Sequence, residues 1–297
     1  MALRSLISTA FLFLLSGAAF ASSGEGGHSG LPENAVVLTP ESWPLPVTNS
    51  MVMVWLVVLG LVVVCQLATR KMTLVPSGIQ NLVEWVVEAL YNFLEGILGP
   101  HLVKRTFWFF ATIFILILCT NWIGLIPGVG TIGWDVDASG HVHKPLLRGG
   151  NADLNMTAAM AFTFAILWFW WAITENGIKG FLAHIFAPKG KFSGIMKIGM
   201  IVIFGMVGVI EVASILLRPV ALSFRLYGNI FAGENLLEGM MQLGLPQYLA
   251  WLPPLPFYFM ELLVGLVQAL VFMLLTAVFL NLICDHGDDH TEEDHAH

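Results

Sequence analysis

Charge is what this sequence has least of. Of its 297 residues only 11% are Asp, Glu, Lys or Arg, against roughly 25% in an ordinary soluble domain. Thirteen Lys and Arg with twenty Asp and Glu cannot furnish the polar skin that a water-soluble globule of this length needs. Hydrophobic residues make up 57% and the mean hydropathy is +0.80, so lipid is the solvent for most of the chain. Cysteine is scarce too. Cys65, Cys119 and Cys284 are unclustered and odd in number, which excludes a disulfide framework and a cysteine-based zinc site. No basic block offsets the net charge of −7, so nucleic acid is not an expected partner. Also missing are a glycine-rich phosphate loop followed by Lys-Ser/Thr and a nucleophile elbow.

What is present divides the chain into four parts. Residues 1–21 read as a secretory signal, with Arg4 as the positive start, an apolar run over 6–15 and Ala19-Phe20-Ala21 as a cleavage site. A short uncleaved first span is the alternative. Residues 22–46 are rich in Gly, Ser and Pro, lack Lys and Arg, and read as a flexible external segment. Residues 47–284 form the membrane domain, and 285–297 an acidic, His-rich cytoplasmic tail. In that tail His286 and His290 are four apart, but no apolar pattern positions them; a solvated tail is expected rather than a metal site.

A helix needs about 20 mostly apolar residues to cross a bilayer. Residues 47–68, 107–126 and 154–174 meet this requirement, and the third ends in Trp168-Phe169-Trp170-Trp171, placed like an interfacial aromatic belt. Residues 195–217 are a fourth; after Arg225 the apolar pattern continues to 250, breaks at Pro253-Pro254-Leu255-Pro256 and resumes over 257–284. Residues 77–98 differ: Leu82, Val83, Val86, Leu90 and Leu94 recur on one helical face, with Gln80, Glu84, Glu88 and Glu95 opposite. That is an amphipathic interfacial helix, not a span. The expected fold is therefore an all-α integral membrane protein. It has five transmembrane helices and one interfacial helix, the last two spans forming a long, tilted hairpin. Eight cations (Arg70, Lys71, Lys104, Arg105, Lys179, Lys189, Lys191, Lys197) flank one side against Lys144 and Arg148 on the other. The positive-inside rule then puts the N-terminus outside and the C-terminus in the cytoplasm.

Two cations remain, Arg218 and Arg225, and both lie in the apolar second half with Glu211, Glu234 and Glu261. Each such residue near the centre of a span costs about 2.5–3.5 kcal/mol on insertion scales, so their concentration marks a polar functional path. Glu211, Arg218, Arg225 and Asn229 follow intervals of seven, seven and four and share one helical stripe. Glu234 points to the opposite face, and Glu261 and Gln268 share a face of the last helix. Pairing between Glu211 and Arg218 is as reasonable as a functional role for them. Arg225 has no acid at i±3 or i±4, so its partner must come from elsewhere, including another chain.

The run Leu222-Ser223-Phe224-Arg225-Leu226-Tyr227-Gly228-Asn229-Ile230-Phe231-Ala232-Gly233-Glu234 resembles the signature of subunit a of F-type ATP synthases. Ala152-Asp153-Leu154-Asn155-Met156-Thr157, Gln268-Ala269-Leu270-Val271-Phe272 and Asn121-Trp122-Ile123-Gly124-Leu125-Ile126-Pro127 match in order. The resemblance implies a proton-conducting stator subunit with two aqueous half-channels. Arg225 would meet each carboxylate of a rotating ring of c subunits; Asn229 and Gln268 match polar positions beside it, and Glu234 and Glu261 match a half-channel lining. Asp153, Asn155, Glu211 and Arg218 are candidate supporting polar residues. Many bacterial relatives carry His where Glu261 stands, a departure from that version of the family. The resemblance implies as partners the c ring, b-type peripheral stalk subunits and other ATP synthase subunits, in the cell membrane. The chain would not be an enzyme on its own, and no cofactor is expected.

The residue chemistry fits this role without the resemblance. A guanidinium does not release its proton in a protein, so Arg225 is no relay. It can favour proton release from a facing carboxylate and repel protons that would leak directly between half-channels. Glu234 and Glu261 can bind and release protons. A small secondary carrier with an anion-binding arginine is the competing class, but the halves share no repeat, and the amphipathic helix has no later counterpart. A structural membrane adaptor would leave the five intramembrane charges unexplained.

Overall fold

A computed structural model describes residues 35–39, 46–130, 132–136, 142–186, 195–241 and 251–284. The expected signal segment, most of the external segment and the acidic tail lie outside the described residues. Five helices are long and apolar enough to cross a membrane: α1 (Asn49–Thr69), α2 (Ile79–Gly124), α3 (Leu154–Phe186), α4 (Ile195–Met241) and α5 (Pro254–Cys284). This is the helical membrane architecture that the sequence predicts. Between α2 and α3 the polar connection adds short strands β1 (Pro127–Gly130), β2 (Gly133–Val136) and β3 (Val142–Pro145). β2 and β3 pair antiparallel, Trp134 opposite Lys144.

Local chemistry sets the boundaries. Thr48 caps α1, its hydroxyl accepting from Met51 N at 3.4 Å. Asp153 does the same for α3, accepting from Asn155 N at 3.0 Å. Inside α2, Gly99 has φ 75° and ψ 165° and is followed by Pro100. Only glycine adopts that conformation cheaply, and the proline that follows suits the start of a new helix. So the amphipathic stretch and the second span are one run of helix with a sharp break, one residue beyond the limit expected from periodicity. Before the break Leu90, Leu94 and Leu98 are buried, while Glu84 and Glu88 are exposed. Pro219 removes one backbone donor from α4, yet the helix runs through it from Ile195 to Met241.

Lipid offers no hydrophobic drive for helix association, so packing depends on small residues and interhelical hydrogen bonds. Ala161 and Ala172 on α3 and Ala269 and Ala277 on α5 are all at 0% exposure, letting backbones approach closely. Gly265 faces Asn121, where an added Cβ would sit 3.1 Å from the Asn121 Cβ. Four side chains from α2 and α3 donate to backbone carbonyls of α5: Trp122 Nε1 to Leu262 (3.1 Å), Asn121 Nδ2 to Gly265 (3.0 Å), Trp168 Nε1 to Phe279 (3.1 Å) and Asn176 Nδ2 to Ile283 (2.7 Å). Near the last of these an Arg105–Glu175 ion pair joins α2 to α3.

The tryptophan cluster corrects the belt reading. Trp168 and Trp171 are buried, Trp171 packing edge-on against Phe109 at 5.7 Å between ring centroids. Only Trp170 in that cluster is largely exposed, at 68%. The helical period explains this: positions three apart share the inward face, and the residue between them turns outward.

Candidate functional site

Arg225 lies on the exposed side of α4, in line with Ala221, Asn229 and Ala232. The opposite side is held inward by Leu222, Leu226 and Ile230, all buried. No hydrogen bond or ion pair among the described residues engages Arg225. Four residues on, Asn229 Nδ2 donates to Gln268 Oε1 at 2.8 Å. Gln268 is itself buried, and its Nε2 has no hydrogen-bond partner among the described residues. Asn229, one turn from Arg225 on the same stripe, is therefore tied to Gln268 of α5.

Toward the Met241 end of α4, Glu234 and Glu261 come together. Both line one narrow cleft with Thr120, Asn121, Gly149 and Asn151, with room for about one water molecule. Glu261 is 4% exposed and sits against Gly233, where an added Cβ would lie 2.2 Å from the carboxyl carbon. Glu234 presses its Oε1 against Gly149, where a Cβ would be 2.1 Å away. Missing side chains thus make the space for both carboxylates. Neither glycine has positive φ, so space rather than conformation is what they supply. Buried oxygens of both acids, Glu234 Oε2 and Glu261 Oε1, have no hydrogen-bond partner among the described residues. Such groups are costly to bury without a compensating partner, and a carboxylic acid can accept, hold or donate a proton there.

Toward the other end, Glu211 and Arg218 pair at 3.3 Å. The Arg218 guanidinium also lies 4.4 Å from the centre of the Phe279 ring on α5, a cation–π contact. Of the supporting residues, Asp153 is buried, caps α3 and accepts from Ser50 Oγ at 2.6 Å, whereas Asn155 is exposed. Sequence reasoning missed how far inward the stretch before α3 reaches. Arg148, counted there only as a loop cation, is 5% exposed, and its charge is near enough to act on Glu234. Asn151 donates to Asn121 Oδ1 at 2.6 Å. The available signal was the Arg148-Gly149-Gly150-Asn151 run itself, cation and amide around two glycines in a membrane protein.

Together these features define a multi-pass helical membrane protein whose ionisable side chains gather inside its membrane-crossing helices. A family model described as ATP synthase A chain matches residues 51–281. The chain is 32% identical over 244 residues to the ATP synthase subunit a of Moorella thermoacetica, covering 82% of this chain and 94% of that protein. It is 33% identical over 233 residues to that of Trichlorobacter lovleyi (78% and 85%), and 30% identical over 254 to that of Gloeobacter violaceus (85% and 91%). The chain belongs to the family of F-type ATP synthase subunit a.

Proposed function

We propose that this chain is the proton-translocating stator subunit of a rotary F-type ATP synthase, with two aqueous half-channels that meet at Arg225. The observation that carries this reading is the setting of Arg225: exposed, without an ion-pair partner among the described residues, and flanked along α4 by acids on either side. A cation left open in mid-helix is arranged for a carboxylate that another chain brings to it. The partner is a ring of c subunits, whose carboxylates pass Arg225 one at a time. A positive charge about 4 Å from such a carboxylate at effective dielectric 20 contributes about 4 kcal/mol toward its charged form. That exceeds the roughly 2.3 kcal/mol that one charge gains across 100 mV, so the cation can draw the proton off a ring carboxylic acid at every passage. Because the guanidinium keeps its proton, it also blocks direct leakage between the half-channels.

Glu234 and Glu261 line the half-channel on the external side, and Asn229 and Gln268 order the approach to Arg225. Glu211 and Arg218 lie along the cytoplasmic half-channel; Asp153 holds the outer end of α3 and Asn155 lines its entrance. The stretch before Gly99 lies in the membrane interface, α4 and α5 run tilted around the ring, and b-type stalk subunits hold the chain in place. The N-terminus is external after loss of residues 1–21, the C-terminus cytoplasmic. The subunit carries ions and leaves the nucleotide chemistry to others.

The test is Arg225→Ala in the assembled complex in vesicles. Assembly is expected to persist, since removing the charge relieves the cost of holding it within a membrane span. Proton-driven ATP synthesis is expected to vanish and passive proton leak to rise. Normal coupled synthesis would overturn the reading. Orientation has its own check: a cysteine near Lys189 is expected to label only from the cytoplasmic side, one near Ser139 only from outside.

A further inference from the structure

The stretch that enters α3 is not a surface loop. Arg148, Gly149, Gly150, Asn151, Ala152 and Asp153 are all buried, and the short 3-10 turn Gly150–Ala152 packs among α1, α2, α3 and α4. Irregular backbone within a membrane domain is tolerated where protein encloses it or where it lines a cavity; this turn meets both conditions. A Cβ on Gly150 would lie 2.6 Å from Val54 and 2.8 Å from Thr120, and one on Gly149 would strike Glu234. Asn151 anchors the turn to Asn121, and Asp153 anchors it to Ser50.

The cleft so formed is rich in oxygen. Glu234 and Glu261 line it together with Thr120, Asn121 and Asn151, and two carboxylates in one cleft are oxygen donors of the kind that hard metal cations favour. A channel for protons has to keep such cations out, because a bound Na⁺ would occupy both carboxylates. Arg148 is 5% exposed and directly precedes Gly149, whose Cα lies against the Glu234 carboxylate, so a buried cation sits one residue from the cleft wall.

We propose that Arg148, seated by the Gly149-Gly150 turn, is the fixed countercharge of the Glu234–Glu261 pair and excludes metal cations from the cleft while protons pass. It is a specificity-determining residue that acts through the carboxylates, and the inference rests on the half-channel reading above. A proton needs one carboxylate oxygen and a water, whereas Na⁺ needs several oxygens at once and meets the guanidinium's repulsion over the whole cleft.

The experiment uses the assembled complex in vesicles, measuring proton flux driven by a potential while NaCl is exchanged for choline chloride at constant ionic strength. Wild-type flux is expected to be indifferent to Na⁺. In Arg148→Gln, Na⁺ should inhibit, with an apparent affinity raised about tenfold or more. Arg148→Lys, which keeps the charge, should restore indifference to Na⁺. Gly149→Ala should lower proton flux about tenfold, with Gly60→Ala, whose Cβ would meet nothing within 4 Å, as the unaffected control. Equal Na⁺ sensitivity of Arg148→Gln and wild type would overturn the inference, as would a Lys variant as Na⁺-sensitive as the Gln variant. Neither result touches the reading of Arg225, which fails only if Arg225→Ala remains coupled.

Discussion

The two halves of α4 on either side of Arg225 solve the same problem in different ways. Toward Met241, Glu234 and Glu261 are enclosed in a cleft, glycines make room for them, and both keep oxygens without a hydrogen-bond partner among the described residues. Toward Ile195, Glu211 and Arg218 pair along one helix, with side chains 43% and 17% exposed. A charge paired within its own helix has part of its cost in a span offset by its partner and is not left to exchange protons. A carboxylate enclosed without such a partner is expensive and poised to exchange protons. Under the proposed function the contrast separates an acid beside the path from those that form it.

Substitutions should widen or erase that contrast in a definite order. Glu234→Gln and Glu261→Gln remove a titratable site at constant volume, and each should reduce proton pumping roughly a hundredfold with the complex intact. ATP-driven acidification of vesicles measures this, and unchanged pumping in both variants would dissolve the distinction between the halves. Gly233→Ala comes next. Its Cβ would overlap the Glu261 carboxyl, which must swing aside; a roughly tenfold loss is expected in the same assay. Smallest is Glu211→Gln. Breaking a partly exposed pair should change stability by about 1 kcal/mol or less, read from the thermal midpoint of the purified complex, while ATP synthesis stays within about twofold of wild type. A large loss of synthesis there would move Glu211 into the working path.

Much of this arrangement was legible before the structure. Five apolar runs stand out because lipid demands continuous hydrophobic length. The end of the amphipathic stretch at 98 follows from its periodicity, whereas the break at Gly99-Pro100 within one helical run is a finding of the structure. The stripe Arg225–Asn229, with Glu234 opposite, follows from 100° per residue. What periodicity could not reach was the placement of irregular backbone. Arg148 to Asn151 carry no helical or strand pattern, so periodicity does not distinguish a solvated loop from a turn drawn between four helices. The same limit applies to Trp168 and Trp171: a cluster of aromatics suits both a membrane interface and a core, and only the packing of α2 against α3 decides. The meeting of Glu234 with Glu261 across two helices likewise depends on a register that Gly233 and Gly149 set by close contact, not by sequence pattern.

One further consequence lies in how α5 is held. Four donors, from Trp122, Asn121, Trp168 and Asn176, grip its backbone carbonyls from Leu262 to Ile283. Interhelical hydrogen bonds in membranes average about 0.6 kcal/mol each, so the four together contribute roughly 2 kcal/mol against axial slip. More important is that they act in parallel: α5 cannot slide by part of a turn without straining all of them at once. In mechanical terms α5 is a braced strut with a stiff shear response. A thrust on the open face of α4 is taken up by an element that resists it along its whole length, which is what a fixed part needs if work done against it is not to be lost as its own displacement.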